Sequence, residues 1–307
     1  MVENLGVEKR HLVRPIGEVL RHPGLEARNE TYEFEAKKRI PAVVDQALCN
    51  AGVKRQEIDA VVMVSCTGFL MPALTAWMIG ELGFRPDVTQ IPIAQLGCAA
   101  GSSALNRAFD YCRALPFANV LIVSCEFCSL IYQPNDLDIG NLVSNALFGD
   151  AVAGAVVRGK GGRGISLLAR RSHLVPGTEK WIAYLVKETG FHFLLNKGVP
   201  EVLRDVVPVC KAFAASHDFD ISAFDYYVFH TGGPKILNAF RDCGPVPQDR
   251  LEYSRATLRE YGNVASASIF DVARRIFESD QVHPDASFLI AGFGPGITAE
   301  FTIGRWT

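Results

Sequence analysis

The chain has 307 residues, 49% hydrophobic and 21% charged, enough to bury one large core or two closely packed halves. Its formal net charge of -2, with lysines and arginines scattered singly, leaves no basic footprint for nucleic acid, and no stretch reaches the roughly 18 uninterrupted apolar residues of a membrane span. The N-terminus has no apolar signal core, so eight cysteines read as reduced thiols and a cytoplasmic location is expected.

In chain order, Leu25 to Gly52 reads as a helix that Pro41 kinks or splits, with Gly52 as its stop. Ala60-Val61-Val62-Met63-Val64 is a buried strand ending in Ser65-Cys66-Thr67-Gly68. Ala73 to Leu82 is a helix closed by Gly83, and Gln90 to Ala94 is a second strand. Next comes Gln95-Leu96-Gly97-Cys98-Ala99-Ala100-Gly101-Ser102-Ser103, which runs into a helix-patterned segment at Ala104 to Tyr111. Cys98 therefore stands at a strand-to-helix junction, where free N–H groups and the helix dipole favour a thiolate.

Val120 to Ser124 is the following strand, closed by the Cys125-Glu126-Phe127-Cys128 pair. That pair lacks the second Cys or His couple of a zinc site and does not open a helix as a redox motif would, so no metal is expected. Asn141 to Phe148 is a short helix, Ala151 to Val157 a strand, and the glycine run from Gly159 to Gly164 a turn joining two strands. It does not match a phosphate loop, because no Gly-Lys-[Ser/Thr] opens a helix.

After a helical and irregular section from Val199 to His217, the signals repeat. Phe224 to Phe229 ends in His230-Thr231-Gly232-Gly233-Pro234, as the first strand ended in Cys66-Thr67-Gly68. Asn263-Val264-Ala265-Ser266-Ala267-Ser268 opens a helix with small residues, as the segment after Cys98 does. Ser287 to Ala291 matches Val120 to Ser124, and Ile297 to Ile303 matches Ala151 to Val157. Two copies of one pattern predict an α/β protein of two pseudo-duplicated halves, 1–158 and 159–307, with functional groups beyond the carboxyl ends of parallel strands.

Cys98, His230 and Asn263 occupy such positions. An imidazolium at His230 would lower the thiol's pKa, making Cys98 the fastest-alkylated cysteine at neutral pH. His Nε2 and the Asn amide could both donate to an oxygen that gains negative charge.

With these motifs in view, the chain resembles the thiolase-fold condensing enzymes, and among them the type III polyketide synthases of the chalcone synthase family. The resemblance is carried by QLGCAAG around Cys98, LFGD at Leu147 to Asp150, HTGGP at His230, YGNVASAS around Asn263 and GFGPG at Gly292 to Gly296. The runs SCTGF, QIPIAQLGCAAG and LIVSCEFCSL bring it nearest to bacterial members that make tetrahydroxynaphthalene or alkyl pyrones. Relatives extend upstream of the point matching Met1, with basic residues that meet coenzyme A.

The resemblance implies a layered αβαβα thiolase-like sandwich. It makes Cys98 the acyl-accepting nucleophile, with His230 and Asn263 promoting decarboxylation of a malonyl extender and holding the enolate. Phe148 and Phe193 match the gatekeeping phenylalanines, and Met71 the methionine that reaches across a homodimer. Lys197, Gly232 and Gly233 match positions near the coenzyme A entrance. Cys66, Cys128 and Ile131 are expected to line the cavity. The implied substrates are an acyl-coenzyme A or acyl carrier protein starter and a malonyl- or alkylmalonyl-coenzyme A extender, with no other cofactor. Ile131, where naphthalene-forming relatives carry cysteine, favours a small apolar cavity and an alkyl α-pyrone product. Tetrahydroxynaphthalene from malonyl units alone is the alternative. A non-catalytic partner subunit is the rival from another class, and it should have lost a member of the triad.

Overall fold

The computed structural model describes residues 5–21, 23–279 and 281–307. Its elements run α1 (Ile16–Val19), α2 (Leu25–Ala51), β1 (Ala60–Val64), α3 (Leu74–Glu81), β2 (Thr89–Ile93), α4 (Ala100–Ala114), β3 (Asn119–Phe127), α5 (Ile139–Leu147) and β4 (Asp150–Arg158). They continue with β5 (Ile165–Leu174), β6 (Ile182–Lys187), β7 (Gly190–Leu195), α6 (Val199–Ala215), β8 (Tyr226–Phe229), α7 (Pro234–Cys243), α8 (Glu252–Tyr261), α9 (Ser268–Glu278), β9 (Ser287–Gly294) and β10 (Thr298–Trp306).

The first sheet has the order β2-β1-β3-β4 and the second β5-β10-β9-β8. In each, a strand lies parallel to its neighbour, which pairs antiparallel with the next: β1, β3 and β4 in one half, and β8, β9 and β10 in the other. The repeat expected from the sequence is therefore a repeat of topology. The glycine turn after β4 connects strands of different sheets.

The β-branched apolar runs form these strands because both of their faces are covered, and the pleat divides each run in two. Val61 and Met63 face α2 and α3, whereas Ala60, Val62 and Val64 pack on the small residues Ala100, Ala104 and Ala108 of α4. In the second sheet, Leu289, Ala291 and Phe293 meet α6 and α7, and Phe288 and Ile290 meet Ile269, Val272 and Ile276 of α9. Helices α4 and α9 thus lie between the sheets, with α2 and α6/α7 outside, giving the αβαβα layering.

Some expectations are corrected. α2 runs unbroken through Pro41, since its buried face of Tyr32, Ala36, Ile40, Val44 and Leu48 outweighs one missing backbone hydrogen bond. The strand expected from Phe224 starts at Tyr226, because Phe224 turns into the helix-side core. The hairpin β6–β7 lies outside the expected elements, although Ile182 to Val186 of β6 is an apolar run as long as that of β1.

Candidate active site

Cys98 lies in a tight 3-10 turn, Gly97–Ala99, that feeds α4. Gly97 has a positive φ of 49°, and a Cβ there would come within 2.7 Å of the Pro295 ring, so only glycine fits beneath the GFGPG loop. On the other side of the pseudo-symmetric axis, the turn Ala265–Ala267 feeds α9. A Cβ on Gly101 would meet the Ser266 carbonyl at 2.1 Å. The small residues after Cys98 thus let the two helix starts touch backbone to backbone.

Asn263 is fixed by its own main chain. Its N–H donates to Leu147 O at 2.9 Å, and its carbonyl accepts from Gly149 N at 3.0 Å, forming a parallel bridge around Phe148. This is what the LFGD motif does locally: it ties Phe148 to Asn263. The Ala265 N–H donates to Asn263 Oδ1 at 2.9 Å, and both Oδ1 and Nδ2 of the amide lie 3.9 Å from Cys98 Sγ. His230 follows β8, is 1% exposed, and donates its N–H to Ala291 O at 2.9 Å. It meets the same Asn263–Ala265 segment through the Ala265 backbone. Its Nδ1 has no hydrogen-bond partner among the described residues.

The electrostatics correct the expectation of a resting thiolate. Burial pushes the Cys98 thiol up to about 12, and nearby Glu126 adds to this, while burial drives the His230 imidazole down to about 3. Each group is surrounded by protein that solvates its charged form poorly, so the unliganded protein holds a neutral Cys98 thiol and a neutral His230 imidazole. Some Cys98 surface remains open to reagents.

Around the thiol, Val19, Cys128, Tyr132, Phe148 and Ala265 form a compact apolar cluster that Cys98 and Phe193 join. The Phe148 and Phe193 rings meet edge to face at 5.5 Å, and Tyr184 packs on Phe193 at 5.8 Å. Burial, then the charges that Cys66, Cys128 and Cys98 would carry as thiolates, push the Tyr184 hydroxyl up. Cys66 is anchored by Glu126, whose Oε2 accepts from the Cys66 and Thr67 backbone and hydroxyl groups, each at 3.1 Å, while Oε1 accepts from Ser266 Oγ.

The structure therefore brings together Cys98, Asn263, Phe148, Phe193 and Cys128, and it places His230 just after β8 and Cys66 against Glu126. Ile131 is buried but lies outside the cluster that meets Cys98, because it closes the turn Cys128–Ile131 while Cys128 opens it toward the site. Met71, 89% exposed, stands on the loop before α3, and Lys197 is exposed between β7 and α6. Gly232 abuts the imidazole, where a Cβ would lie 3.0 Å from His230 Nε2, and Gly233 precedes α7 with a φ of 127°.

Sequence reasoning missed Glu126 and Tyr184. Glu126 had a visible signal, a lone carboxylate inside an otherwise uncharged strand. Tyr184 stands in the apolar run Ile182 to Val186, but its hairpin was not foreseen.

This geometry agrees with what the chain is similar to. Residues 14–161 match the family model described as chalcone and stilbene synthases, N-terminal domain, and residues 166–305 match the corresponding C-terminal domain. The chain is 54% identical to 1,3,6,8-tetrahydroxynaphthalene synthase of Streptomyces coelicolor, over 100% of its own length and 82% of the relative's. It is 43% identical to phloroglucinol synthase of Pseudomonas fluorescens, over 100% and 88%. The solved structure of the Streptomyces coelicolor tetrahydroxynaphthalene synthase superposes with a TM-score of 0.98, covering 100% of this chain and 88% of that one. Germicidin synthase from the same organism, at 26% identity, gives 0.87 over 92% and 75%. The chain belongs to the chalcone and stilbene synthase family and is a type III polyketide synthase, an acyltransferase that condenses coenzyme A thioesters without a further cofactor.

Proposed function

We propose that the enzyme makes tetrahydroxynaphthalene, the product for which its relative is named, and that it does so from malonyl units alone with Cys98 as nucleophile. In the first step Cys98 Sγ attacks the starter thioester as its proton passes to His230, and coenzyme A leaves as the thiol. A second malonyl thioester then loses CO₂, and its enolate oxygen is held by the His230 imidazole and the Asn263 amide. The enolate carbon attacks the Cys98 thioester, Cys98 leaves as thiolate, and the lengthened chain stays on coenzyme A for reloading. We assign the two halves to the residues before and after the β4–β5 turn. The exposed Met71, with Phe69 beside it, supports a homodimer in which that loop meets a second copy.

The observation that carries the malonyl-only reading is the wall of the site. Cys128 stands in the cluster around Cys98, Tyr184 packs on Phe193 at its edge, and Ile131, the residue that favoured an alkyl pyrone, lies outside it. The identity of 54% across the whole chain supports the same choice. The second reading, an alkyl α-pyrone from an aliphatic starter, is favoured by the apolar partners Val19, Phe148 and Phe193. Malonyl-coenzyme A supplied as sole substrate separates them by mass spectrometry. Abundant tetrahydroxynaphthalene or its quinone is expected. Little product until a medium-chain acyl thioester is added would overturn the malonyl-only reading in favour of the pyrone.

A further inference from the structure

The hairpin β6–β7 belongs to neither large sheet, yet it delivers Tyr184 and Phe193 to the site. A two-stranded ribbon is marginal alone, and this one exposes Leu185 and Val186, so its position depends on what fastens it. The fastening comes from the segment between β3 and β4. Gln133 Nε2 donates to Thr189 O at 3.3 Å and to Phe191 O at 3.1 Å. The Phe193 N–H donates to Asn141 Oδ1 at 3.0 Å, and a Cβ on Gly140 would stand 2.9 Å from Phe193 O, so α5 lies directly on β7.

The pleat sends His192 to the face opposite Phe193. There it is buried, with Nδ1 2.6 Å from Asp136 Oδ2 and Nε2 2.8 Å from Thr189 Oγ1. The bond to His192 also holds the Asp136 carboxyl below its usual range. The condensation chemistry uses none of these groups. The same segment ends, through α5, in Phe148, so one stretch of chain sets the positions of both phenylalanine rings.

We infer that His192 and Asp136 are positioning residues: their hydrogen bond clasps the hairpin to the segment before α5 and so sets the aperture between Phe193 and Phe148 through which an acyl chain reaches Cys98. This rests on the proposed role of those rings as a gate. The size of the aperture, however, can be read without any polyketide chemistry. A small alkylating agent and a bulky one compete differently for a narrow opening, whatever the thiol's intrinsic reactivity.

The test alkylates Cys98 with iodoacetamide and with N-benzyl iodoacetamide in wild type, His192→Ala, His192→Asn and Asp136→Asn, followed by peptide mass spectrometry. Losing a charge-assisted hydrogen bond should raise the bulky-to-small rate ratio roughly tenfold in His192→Ala. Asp136→Asn, which keeps the shape and weakens the bond, should fall between. His192→Asn, whose amide can still donate to Asp136, should restore the wild-type ratio. Equal ratios in all four proteins would overturn the clasp, as would a raised ratio that His192→Asn does not restore. Failure of wild type to make any polyketide from malonyl-coenzyme A would instead sink the functional reading and leave these ratios standing as the measure of the clasp.

Discussion

At Cys98 and His230, burial disfavours the charged form of each group as long as no substrate is bound. From about pH 3 to about pH 12 both are neutral, so the proton must leave Sγ during attack instead of before it. The alkylation rate of Cys98 in the unliganded enzyme should therefore climb with pH through the neutral range, and the exposed Cys49 and Cys243 should label first. A plateau near neutral pH in peptide-resolved labelling would instead show a resting thiolate–imidazolium pair. Asn263 acts on the other partner of the reaction. Its side-chain amide is held by a bond from the Ala265 N–H, and Asn263→Ala should lower CO₂ release from malonyl-coenzyme A by about 10² to 10³ while Cys98 still accepts an acyl group. If radiolabelled CO₂ release is unchanged, the amide serves only the local turn.

The elements that carry these residues meet at helix starts, and there glycine decides the packing. In an ordinary helix Gly101→Ala would gain about 1 kcal/mol of propensity. Here the new methyl would stand 2.1 Å from the Ser266 carbonyl, a backbone atom that cannot swing away, so overpacking costing about 1–3 kcal/mol should win. A lower urea midpoint with a parallel loss of activity is expected, and a raised midpoint would refute the contact. This junction was legible in the sequence because the small residues of QLGCAAG and VASAS form dense local strings, and the repeat of strand and helix signals exposed both halves. Phe193 was legible only through family resemblance. Tyr184 and the clasp at His192 were missed although Ile182 to Val186 is an apolar run, because nothing local shows what such a run pairs with in a hairpin outside the main sheets. Its register comes from Gln133, Asp136 and Asn141, residues 50 or so positions away whose pairing only the fold reveals.

Across the whole molecule, the two halves are joined at the site by polar groups as well as by helices α4 and α9. Glu126 of the first half accepts from Ser266 of the second, and Ser266 also pairs with Ser124 of β3 at 2.7 Å. Burial raises the Glu126 carboxyl from 4.5 to about 7, against the lowering effect of its hydrogen bonds. A group that binds its proton more tightly when folded contributes stability that is fully present below pH 4.5 and is lost as pH rises through about 7. The difference corresponds to about 3 kcal/mol. Asp150, also raised by burial, to about 6, titrates in the same direction, so the pH profile of wild type alone would mix the two. Comparison with Glu126→Gln separates them, since Asp150 is common to both proteins. Replacing the carboxyl by a neutral amide costs some hydrogen-bond geometry at every pH but removes the titration. Denaturant unfolding from below pH 4.5 to above pH 7 should therefore show the variant gaining about 3 kcal/mol on wild type. Parallel profiles would mean that Glu126 ionises at its ordinary value in the folded protein, and that the joint between the halves tolerates a buried charge without cost.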